Sequence, residues 1–157
     1  MSNKTTVATP GDVEIAVSRR FEAPPQRVFD AFTRAEHVRK WMHGPNGWNL
    51  ERCELELRVG GNIRYEWKNA DGDSMGMSGE FREIQAPLRT VHTELFDADW
   101  TGGETVVTTD FNEDQNGTLV TITTRFGSKT ARDAALESGM AEGMEASFVH
   151  LERTLAA

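Results

Sequence analysis

Near the C-terminus, Leu136, Met140, Met144, Phe148, Leu151 and Leu155 follow one another at steps of three or four residues. Such steps draw one apolar line along an α-helix. The stretch from Ser128 onward has no proline and is rich in Ala, Glu and Met. The spacing predicts one helix of roughly 25 residues, about 40 Å long. Ser128 is placed to cap it, and Asp133 lies near its positive end. Gly139 and Gly143 sit on a neighbouring line. Each costs about 1 kcal/mol against alanine, so they point to close approach of another element or to room for a ligand. A helix with one apolar stripe has to be covered, and the rest of the chain must supply the cover.

Upstream the apolar period is two. Val13, Ile15 and Val17 alternate with polar or small residues, and so do Cys53, Leu55 and Leu57, then Ile63, Tyr65 and Trp67, then Met77, Gly79 and Phe81. This is the pattern of half-buried strands. Residues 89–96, 104–112 and 118–126 read as three more strands, separated by Gly102-Gly103 and Asn116-Gly117. Asp71-Gly72 marks a hairpin. Pro24-Pro25 ends the first strand and opens a short helix with Val28, Phe29 and Phe32 at helical spacing. Val38, Trp41 and Met42 give a second, which His43-Gly44-Pro45 breaks. The order is strand, two short helices, about six strands and one long helix, which is an α+β arrangement. Residues 1–11 read as a flexible leader and 12–157 as one domain. A curved antiparallel sheet wrapped on one helix leaves a cavity between them.

Charge narrows the partners. Lys plus Arg is 17 against 25 Asp plus Glu, a net charge of -8. Such a chain repels nucleic-acid phosphate and anionic headgroups, so neither nucleic acid nor membrane is expected as a partner. The polar first dozen residues carry no signal-peptide core, and the one cysteine, Cys53, forms no internal disulfide. A cytoplasmic location is therefore expected. His37, His43, His92 and His150 are scattered without metal-ligand spacing. Asn69, Asp71, Asp73 and Glu80 mimic a calcium loop, but Ser74 stands where glycine is needed and strands flank it, so a hairpin turn is expected. No metal or cofactor is expected. No Gly-x-Ser-x-Gly elbow occurs, and Cys53 shares an apolar strand face, as a buried inert thiol would.

The aromatic and sulfur-bearing residues remain. Trp41, Trp48, Tyr65, Trp67, Phe81, Trp100 and Phe111 exceed what a thin core needs, as do Phe148, Met77, Met140 and Met144. All but Trp100 are the candidate lining of an apolar cavity. Residues 89–96 supply polar groups to it in one of two ways. If Phe96 faces inward, His92 and Glu94 do too. The opposite parity buries Val91, Thr93 and Leu95 and turns His92 to solvent, and periodicity slightly favours it. If the pair is inward, Thr109 or Arg52 is within its candidate partners.

Over residues 13–155 the chain resembles the heat-shock protein 90 ATPase-activator homologue branch of the START-like (SRPBCC) superfamily. The resemblance is carried by Arg20-Phe21-Glu22-Ala23-Pro24-Pro25, Val28-Phe29-Asp30-Ala31-Phe32-Thr33, Lys40-Trp41 and Gly44-Pro45-Asn46-Gly47-Trp48. Leu57-Arg58-Val59-Gly60-Gly61, Gly79-Glu80-Phe81 and Ser138-Gly139-Met140-Ala141-Glu142-Gly143-Met144 continue it. It implies a helix-grip fold around a hydrophobic cavity. The related subgroup often has arginine at the position of Leu95, which implies an outward Leu95 and inward His92 and Glu94. The function implied is binding of a small apolar or amphipathic molecule. Two alternatives stay open: a cyclase- or hydrolase-type enzyme using His92 and Glu94, and a chaperone-contacting module. A homodimer also stays open.

Overall fold

The computed structural model describes residues 4–156. Strands β1 (Thr6–Ala8) and β2 (Glu14–Phe21) are followed by helices α1 (Pro25–Thr33) and α2 (Ala35–Val38). Six strands come next: β3 (Trp48–Leu55), β4 (Asn62–Asn69), β5 (Ser74–Gln85), β6 (Arg89–Phe96), β7 (Thr105–Asp114) and β8 (Gly117–Arg125). Helices α3 (Lys129–Glu137) and α4 (Met140–Ala156) end the chain. The strands form one antiparallel sheet in the order β1-β2-β8-β7-β6-β5-β4-β3. The second strand, β2, pairs with the last, β8, and α4 lies in the concave face of the curved sheet. This is the α+β helix-grip architecture. Among the described residues no helix is long and apolar enough to cross a membrane.

Local chemistry explains the joints. Pro25 starts α1, where its missing N–H costs nothing. The Asn69 carboxamide oxygen accepts from the N–H groups of Asp71 and Asp73 at 3.0 and 2.9 Å, which closes the β4–β5 hairpin. At the β7–β8 turn Gln115 and Asn116 both have positive φ, so the turn centres one residue before Asn116-Gly117. The Arg19 guanidinium on β2 donates to Glu152 at 2.6 Å and ties α4 to the sheet.

Three expectations change. The C-terminal helix is two helices, because Gly139 sits at φ +89°, a left-handed conformation that ends the helical path. Leu136, one turn before the break, is therefore off the stripe and 36% exposed, while Phe148, Leu151 and Leu155 are buried. Thr6–Ala8, within the segment read as leader, pairs with β2 as a short edge strand. The second short helix covers only Ala35–Val38, and Trp41 and Met42 lie in the turns that follow.

Two shifts in register bend the sheet. One falls between Leu50 and Arg52 on β3, the other between Phe81 and Glu83 on β5. An extra residue reverses the inward and outward alternation beyond it. Leu50 and Cys53 are thus both buried although three residues apart, and Leu57, past the end of β3, is exposed.

Candidate functional site: an apolar cavity with one polar corner

Between the concave face and α4 lies a cavity of about 530 Å³. Alternation selects its sheet wall: Tyr65 and Trp67 on β4, Met75 and Met77 on β5, and His92, Glu94 and Phe96 on β6. Thr105 and Val107 on β7 and Ile122 and Thr124 on β8 complete that wall. Helix α4 contributes Met140, Gly143, Met144, Ser147 and Phe148. Phe32, Trp41, Met42, Gly44 and Pro45 close one end, and Trp100, Thr101, Phe126, Ser138 and Gly139 lie on the connecting loops. His92, Val107 and Thr124 form one continuous row across three strands.

The parity of β6 is resolved inward. Leu95 is 43% exposed, while His92 and Glu94 line the cavity. The His92 Nε2 lies 2.8 Å from a Glu94 carboxylate oxygen, and the Phe81 ring stands edge-on to the imidazole. With Nε2–H donating to the carboxylate, Nδ1 is left as an acceptor. Tyr65 is buried in the same wall. Burial pushes its hydroxyl well above the ordinary phenol range, and negative charge on Cys53 or Glu94 would add to this, so the hydroxyl remains a donor. It makes no hydrogen bond to another side chain or to backbone among the described residues. Several other polar groups nearby are committed. The Trp67 indole donates to the Met42 carbonyl at 3.0 Å, the Trp41 indole to the Ala31 carbonyl at 2.9 Å, and the Gly44 N–H to the Ser147 hydroxyl at 3.1 Å.

Ten of the residues expected at the cavity meet there: Trp41, Tyr65, Trp67, Met77, His92, Glu94, Phe96, Met140, Met144 and Phe148. Four do not. Phe111 shares the inward face of β7, but α1 covers that end, and its ring packs against Phe29 and Phe32 at 5.3 Å each. Thr109 lies buried beside it, paired across the sheet with Thr90 and Ile122. Phe81 is sealed in a second core cluster with Cys53 and Ile63, and Trp48 packs on the margin of that cluster at the edge strand. Arg52 is not a partner of His92 and Glu94. It lies on the outer face and pairs with Glu54 and Glu66. Alternation along β7 and β8 was the signal for Thr105, Val107, Ile122 and Thr124. Pro45, Thr101 and Ser138 stand on loops and turns, where no period announces an orientation.

Cys53 is buried, and desolvation raises its thiol to about 11, although Arg39 opposes the shift. The unfolded chain gives up this proton at a lower pH. Stability contributed by the protonated thiol is thus complete below the unfolded value of about 9.0 and falls as pH rises toward 11, by at most about 1.4 kcal/mol per pH unit. Tyr65 acts in the same direction at still higher pH. Urea midpoints at about pH 8 and about pH 10.5 should show a decline that is shallower in Cys53→Ala. Equal slopes in the two proteins would place the alkaline titration elsewhere.

The family model described as "Activator of Hsp90 ATPase homolog 1-like protein" matches residues 22–156. No match is found among the curated proteins. Among solved structures, a crystal structure from Rhodobacter sphaeroides is 31% identical, with 97% of each chain covered and a TM-score of 0.92. A Nitrosomonas europaea protein is 22% identical over 94% of this chain and 97% of its own, with a TM-score of 0.83. An AHSA1-like protein from Aeromonas hydrophila is 19% identical over 90% of this chain and 93% of its own, with a TM-score of 0.72. The last two share the fold. The match over residues 22–156, with the sheet gripping α4, means that the chain belongs to the activator of Hsp90 ATPase homolog 1-like family of the START-like superfamily.

Proposed function

We propose that this protein binds a small, largely aromatic molecule bearing one hydroxyl or N–H donor. The observation that carries this is the contrast inside a cavity of about 530 Å³. Its walls are aromatic rings and thioethers, and in one corner the His92–Glu94 pair and the Tyr65 hydroxyl retain hydrogen-bonding capacity that the protein leaves unused. The volume suits a ligand of drug-like size or smaller. The corner is rich in acceptors, namely Nδ1 of His92 and the second Glu94 oxygen, with Tyr65 as donor. A ligand hydroxyl fits that arrangement, and a ligand carboxylate meets Glu94.

The test compares naphthalene, 1-naphthol and 1-naphthoate by calorimetry or tryptophan fluorescence, beside native mass spectrometry of the purified protein for a retained ligand. We expect 1-naphthol to bind most tightly. His92→Leu and Glu94→Gln should each reduce its affinity about tenfold, as loss of a hydrogen bond to a charged or buried group does, with little change for naphthalene. If both variants bind 1-naphthol like the parent and differ only in melting temperature, the pair is structural. The 2.8 Å His92–Glu94 contact also favours a second reading, in which the pair moves a proton of the bound molecule. Conversion of a bound phenol or ketone that stops in Glu94→Gln would support it.

A further inference from the structure

The chain has six methionines. Met1 lies outside the described residues, and the other five all line the one cavity. Met42 comes from the turn after α2, Met75 and Met77 from β5, and Met140 and Met144 from α4. Local pattern points Met77, Met140 and Met144 to the cavity, and the fold adds Met42 and Met75. Met77 is 1% exposed, whereas Met42, Met75, Met140 and Met144 are half-buried, within reach of a small molecule entering from solvent. The single cysteine is sealed in the core as a neutral thiol, so a soluble oxidant meets thioethers first.

We propose that Met42, Met75, Met140 and Met144 form an oxidation site through which peroxide empties the cavity. In each step the sulfur lone pair attacks one peroxide oxygen. The O–O bond breaks, an S–O bond forms, and the other oxygen leaves as water after taking the remaining proton. The sulfur loses two electrons and the peroxide gains them. A sulfoxide oxygen is a strong acceptor, yet the Trp67 and Trp41 indoles already serve the Met42 and Ala31 carbonyls. The free Tyr65 hydroxyl can serve one of the four new oxygens; the others bring water into an apolar wall, which displaces an apolar occupant. Reduction by methionine sulfoxide reductase, which transfers the oxygen away as water at the expense of two thiols, restores the thioether.

The inference rests on the cavity being a binding site, and the experiment separates the two. The neutral dye N-phenyl-1-naphthylamine is titrated into untreated protein, protein treated with hydrogen peroxide, and treated protein incubated with both sulfoxide reductases and dithiothreitol. Peptide mass spectrometry locates the added oxygens. We expect oxidation at the four half-buried methionines before Met77, a dye affinity about tenfold weaker, and recovery after reduction. A variant with Met42, Met75, Met140 and Met144 replaced by leucine should show a treated-to-untreated affinity ratio near one against its own untreated state. Unchanged dye binding after oxidation of the four sites overturns the proposal and leaves the binding reading standing. Oxidation of Met77 in step with the others, with loss of the folded circular-dichroism signal, overturns it as simple unfolding. Failure of untreated protein to bind the dye overturns both.

Discussion

Replacing Phe111 with alanine is expected to destabilise the protein by about 3–5 kcal/mol while leaving 1-naphthol binding intact in the folded fraction. Phe111 is fully buried, and its ring meets Phe29 and Phe32 edge-on, so truncation removes a large apolar surface and two aromatic contacts. The void would lie beneath α1 and not in the cavity. Urea unfolding and calorimetry on the same sample check both halves. A selective loss of 1-naphthol affinity at unchanged stability would return Phe111 to the cavity lining and overturn the boundary drawn by α1.

Gly79→Ala is expected to be as damaging, by a different route. Gly79 lies on β5 opposite β6, and a Cβ there would overlap the Thr93 carbonyl oxygen, which belongs to backbone and cannot swing aside. The two strands would have to separate, at a cost of about 3 kcal/mol or more, the upper range for overpacking. They carry Met75, Met77, His92 and Glu94, so the cavity wall would move with them. The expected result is a sharp fall in soluble yield or urea midpoint, with loss of 1-naphthol binding in whatever remains folded. Parental stability in Gly79→Ala would show that the β5–β6 contact is looser than its geometry implies.

Both variants bear on how the site is assembled. The inward face of β7 reads Thr105, Val107, Thr109, Phe111 without interruption, and nothing in that alternation divides it. The division comes from α1, which crosses only the Thr109–Phe111 end and turns those residues into core. The same holds for β5, where the register shift beyond Phe81 brings Ile84 to the core three residues later.

Short-range rules were enough for much of this protein. The period of two placed the strands, with residues 89–96 matching β6 at both ends, and the period of about 3.6 identified the stripe that α4 presents to the sheet. Proline, glycine and asparagine marked the joints. These are legible because they depend on sterics and side-chain direction within a few residues. The resemblance carried by scattered motifs added the grip architecture and the inward parity of β6. Only the tertiary structure decided the rest: the break at Gly139, the two register shifts, the partition of β7 and the addition of Met42 and Met75 to the cavity wall. Each depends on what lies opposite a residue across the fold. An aromatic ring at an inward position can pack against a helix or border empty space. Its own sequence neighbours are the same in either case, so local pattern marks an inward face, and long-range packing determines whether that face becomes core or cavity.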